Sequence, residues 1–87
     1  MSTPNNELLQ AVEFALAGKW DAAHGIVQQY DGDATAAWIH AVIHKVEGDA
    51  SNSRYWYRHA GKLDHVNDEP AAELAAIKAE LISDGGT

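Results

Sequence analysis

His40, His44 and Glu47 stand at i, i+4 and i+7 of one predicted helix, so the three side chains share a face. Two histidines one turn apart can hold a single metal ion, and a carboxylate a turn later could complete a facial set. His24, His59 or His65 could add a ligand from another helix. No His-Glu-x-x-His motif is present, because Ala41, Val42 and Ile43 separate the two histidines. The competing reading is that the histidines fill a helix interface and hydrogen-bond to tyrosine or backbone.

Acid–base chemistry can be drawn on the same residues. His44 could be oriented by Glu47 or Asp49 and act on a ligand held by Tyr55 or Tyr57. Against this, the chain has no glycine-rich phosphate loop and no nucleophile elbow. With no cysteine, thiol catalysis, Cys-ligated zinc and disulfides are excluded. Catalysis is therefore not expected, and no residue is assigned a catalytic role.

A second set of residues could bind a partner. Arg54, Arg58 and Lys62 recur at i, i+4 and i+8 and could meet an acidic partner, or form an ordinary solvated face. Tyr55 and Tyr57 are about 200° apart around a helix, so one of them should be exposed. Exposed aromatics are enriched at interaction surfaces. Trp38, Arg54, Tyr55 and Arg58 are the expected partner-binding residues.

The elements that must position these groups read as helices throughout. Thr3 and Pro4 suit a helix start, with hydroxyl N-cap and proline at the first position. That helix should end before Gly18. A second spans about 20–29, with Gly25 inside it, where a glycine suggests that another backbone passes close by. Asp33 should cap a third helix, about 34–47, and Gly48 should stop it. A fourth runs to Ala60 before Gly61, and a fifth from Pro70 to about Ser83. On the fifth, Leu74, Ile77 and Leu81 form the inner stripe, with Glu73, Lys78 and Glu80 outside. The stretch Trp38–Gly61 carries most of the large rings, so the core should gather around it.

An 87-residue chain has room for one domain and buries about 60% of its unfolded surface. The expectation is an all-α domain over residues 1–83 with a frayed tail at 84–87. Its core should comprise Leu9, Val12, Leu16, Ala23, Val27, Trp38, Ile39, Val42, Ile43, Trp56, Ala60, Leu74, Ile77 and Leu81. Net charge −7 disfavours nucleic acid and anionic membranes. No run approaches the roughly 18 apolar residues of a membrane helix, and no signal peptide is expected at the start. A cytoplasmic location is the expectation.

The chain also carries a weak internal repeat. Ala11, Val12 and Gly18 fall on Ala41, Val42 and Gly48, with Ala23 on Ser53 and Val27 on Tyr57. A glycine allows a tight turn between two helices, and a small residue five positions on lets them pack closely. Gly48, Ser53, Tyr57 and Ala60 resemble the tetratricopeptide-repeat pattern, as do Gly18 and Ala23. The EGD…YWYRHAG string is similar to Sel1-like repeats, and WIHA–H–EGD–YWYR to a group of short bacterial proteins to which no function attaches. The tetratricopeptide resemblance covers about residues 5–62. It implies a right-handed stack of two αα-hairpins with the fifth helix as a cap, acting as a protein-interaction module. Two copies leave open end faces, so a homodimer is also expected. This module needs no cofactor. The runner-up is a site for a divalent metal or small ligand at His40, His44 and Glu47, with catalysis as its further option.

Overall fold

In the computed structural model, which describes residues 5–30 and 32–85, the chain is all helical. Helices α1 (Asn5–Leu16), α2 (Trp20–Val27), α3 (Ala34–Val46), α4 (Ala50–Ala60) and α5 (Pro70–Gly85) follow in order. Short 3₁₀ turns occupy Gln28–Tyr30 and Leu63–His65. There is no strand among the described residues. The expected Thr3–Pro4 helix start lies outside the described residues. Helix α5 runs through Gly85, and residues 86 and 87 of the expected tail lie outside the described residues.

Helix α3 is the centre of the molecule and packs against all four other α-helices. Every residue from Ala36 to Ile43 is buried. A helix this apolar around most of its circumference belongs in the interior. Its start is fixed by Asp33, whose carboxylate accepts from the backbone N–H of Thr35 (2.8 Å) and Ala36 (3.1 Å). Gly18 and Gly48 adopt φ of +80° and +84°, and each ends its helix with the same bond. Lys19 N–H donates to Phe14 C=O (2.8 Å), and Asp49 N–H to His44 C=O (3.0 Å). Thirty residues apart, the two turns are built alike. Ala23 and Ser53 behind them are both buried, as are Val27 and Tyr57.

Four expectations fail for definable reasons. Leu16 is 44% exposed, and Leu9 is only partly buried. Leu8, Ala11, Val12 and Ala15 form the inner face of α1, while Leu9 and Leu16 project about 90° away from it. Gly25 has nothing near where a Cβ would stand, so no backbone passes close to it. Lys62 lies beyond the end of α4 and places its Nζ 4.5 Å from the ring centre of Trp38, so the basic row stops at Arg58. Glu73, expected outside, is 2% exposed.

Glu73 ties α5 to the centre. It accepts from Trp38 Nε1 (3.1 Å) and from the Tyr57 hydroxyl, which lies 2.7 and 2.8 Å from its two oxygens. Lys45 Nζ forms an ion pair with the same carboxylate. That ammonium also donates to the carbonyls of His65 (3.2 Å), Val66 (3.2 Å) and Asp68 (2.7 Å), holding the loop before α5. Burial and the neighbouring carboxylate push the Tyr57 hydroxyl well above the ordinary tyrosine range, so it remains a donor.

Candidate metal centre

Another side of α3 from Trp38 and Lys45 carries His40 and His44, about 140° and 100° around the helix from Lys45. One turn apart, the two imidazoles stack with centroids 4.9 Å apart and planes at 18°. Trp56 from α4 stacks on His40, 4.1 Å away at 14°. This contact explains why a polar ring is only 6% exposed, and why Trp56 is half-buried rather than central. His24 comes from α2 and meets both rings edge-on, at centroid distances of 4.7 Å to His40 and 5.7 Å to His44.

His24 Nε2 and His40 Nε2 are 3.0 Å apart. In the neutral rings, one nitrogen must carry the hydrogen and the other the lone pair. One nitrogen from each of His24, His40 and His44 lies within 4.8 Å of the others. With metal–nitrogen bonds of about 2.0–2.1 Å, two ligands of a tetrahedral ion stand about 3.3 Å apart. The His24–His40 pair is already near that separation.

Of the sequence-predicted ligands, His40 and His44 are brought together, and Glu47 is not part of the cluster. Its carboxylate instead meets His44, with Oε1 3.2 Å from Nδ1. His24, one of three possible additions, takes its place. His65 instead pairs with Asp68 (2.7 Å) and lies against Trp38, while His59 packs on Tyr55 and Trp56. No family model, curated protein or solved structure matches the chain. The site must therefore be judged on its own geometry.

The sequence-predicted acid–base arrangement is only half assembled. His44 has Glu47 beside it, but the Tyr57 hydroxyl is committed to Glu73. Asp49 caps α4 and bonds the Asn52 side chain (3.0 Å), which holds its carboxyl below the usual range; the Asn52 backbone N–H adds to this. Of the expected partner-binding residues, Tyr55 is 48% exposed, and Arg54 and Arg58 are exposed with it. Trp38 must be removed from that set. It is 2% exposed, with its indole N–H bonded to Glu73. No described helix is long and apolar enough to cross a membrane.

Proposed function

We propose that this chain binds a late first-row divalent metal through His24, His40 and His44. The observation that supports it is the convergence of three imidazoles from two helices, with one nitrogen of each within 4.8 Å of the others. An all-imidazole donor set favours zinc, copper, nickel and cobalt over magnesium, calcium or manganese, which prefer oxygen. Three protein ligands leave a coordination position for water or a small ligand, the pattern associated with reactive rather than purely structural sites. The net charge of −7 also favours a cation.

The test is thermal melting of the tag-free chain with zinc, nickel or manganese. At 100 times its dissociation constant, a bound metal adds about 2.7 kcal/mol of stability. Zinc and nickel should raise the melting temperature, manganese should not, and His44→Ala should remove the rise. Absence of any shift with zinc and nickel would reject this reading.

A protein-interaction module is the second reading. It is favoured by the exposed Tyr55 between Arg54 and Arg58, beside a shallow depression lined by Tyr55, Arg58 and His59. If a second copy docks there, sedimentation should show a dimer that Tyr55→Ala with Arg58→Ala returns to monomer. A monomer at all concentrations would leave only a different protein as partner.

A further inference from the structure

We propose that Glu47 is a positioning residue for this site, fixing the tautomer of His44 rather than ligating the metal. The inference rests on the metal-binding reading above. Glu47 is the C-cap of α3, three residues after His44, and its Oε1 lies 3.2 Å from His44 Nδ1. An ionised carboxylate can only accept, so the hydrogen in this contact belongs to Nδ1. The lone pair of the neutral His44 ring is then on Nε2, the nitrogen it can offer a metal. His24 and His40 meet through their own Nε2 atoms, so a lone pair on His44 Nε2 gives the three rings the same kind of donor nitrogen.

The placement of Glu47 has no helical explanation of its own. A carboxylate in the last turn faces the negative end of the helix dipole, which is unfavourable. Lys45, the lysine of that turn, is committed to Glu73 and three carbonyls on the other side. What Glu47 does have is the His44 ring. A carboxylate on Nδ1 also raises the basicity of Nε2, as outer partners of metal-ligating histidines do.

Long-range ¹H–¹⁵N spectra of the metal-free chain, above the histidine titration range, show which nitrogen carries hydrogen. His44 should be the Nδ1–H tautomer in the parent and shift toward Nε2–H in Glu47→Ala. Zinc affinity, measured by calorimetry, should fall about 10- to 100-fold in Glu47→Ala. Glu47→Gln, which keeps an acceptor oxygen, should recover part of both. An Nε2–H His44 in the parent, or Glu47→Ala binding zinc as the parent does, overturns the inference while leaving the metal site intact. A parent chain with the stated tautomer that takes no zinc overturns the metal reading, and the positioning role with it.

Discussion

On one face of α3, donors of three kinds close on a single carboxylate. On the other, three imidazoles close on one another. The Glu73 network joins an anion to a cation, an indole and a phenol, so each polar group meets its complement. Such a buried network is strongly held when every member is satisfied. The histidine cluster is like facing like. Each ring can donate or accept, and any hydrogen bond between two of them fixes one as donor and the other as acceptor. Complementary charges make a structural tie, whereas a convergence of identical lone-pair donors suits a metal ion. The same helix carries both because residues five apart point to different sides.

The largest effect should come from breaking the complementary side. Glu73→Ala leaves two buried donors and a partly exposed ammonium without their carboxylate and should cost about 1–3 kcal/mol per buried donor by urea unfolding. A loss below 1 kcal/mol would mean that α5 docks without this tie. Alkaline pH probes the same network more gently. The folded-state value of Tyr57 lies above the unfolded value of about 10, so its contribution is complete below pH 10 and fades as pH rises beyond it. Tyr57→Phe should flatten this alkaline decline; an unchanged slope would refute the assignment.

Two glycines give the smallest effects, with opposite signs. Gly48→Ala forces a Cβ into φ +84° and should destabilise by about 1–2 kcal/mol. Gly25 is an ordinary helical residue with open space around it. Gly25→Ala should stabilise α2, the element that brings His24 to the cluster, by about 0.5–1 kcal/mol. Chemical denaturation of the two variants checks both signs.

Local chemistry made much of this architecture legible. The glycine stops, the Asp33 cap and the ring-rich central stretch placed α3 and α4 nearly to the residue. The helical period separated exposed Tyr55 from buried Tyr57. It also placed His40 and His44 together. Glu73 illustrates the limit. It lies four and eight residues before Ile77 and Leu81, on the apolar stripe itself, so its position was readable in the period. Its residue type argued for solvent, and only the tertiary arrangement of Lys45, Tyr57 and Trp38 reverses that. Leu8 and Leu9 are adjacent and chemically identical, so the choice between them depends on where neighbouring helices lie. For the same reason His24 could be named only beside His59 and His65 as a possible third ligand. Nothing along the chain links it to His40, sixteen residues on, until α2 folds against α3.

That crossing makes His24 the most direct test of the central claim. Zinc should be titrated calorimetrically into the tag-free parent chain and His24→Ala, with circular dichroism confirming that both are equally helical. A site built from His24, His40 and His44 predicts one zinc per chain in the parent and no measurable binding in His24→Ala. If His24→Ala binds zinc as tightly as the parent, the three-histidine centre is contradicted.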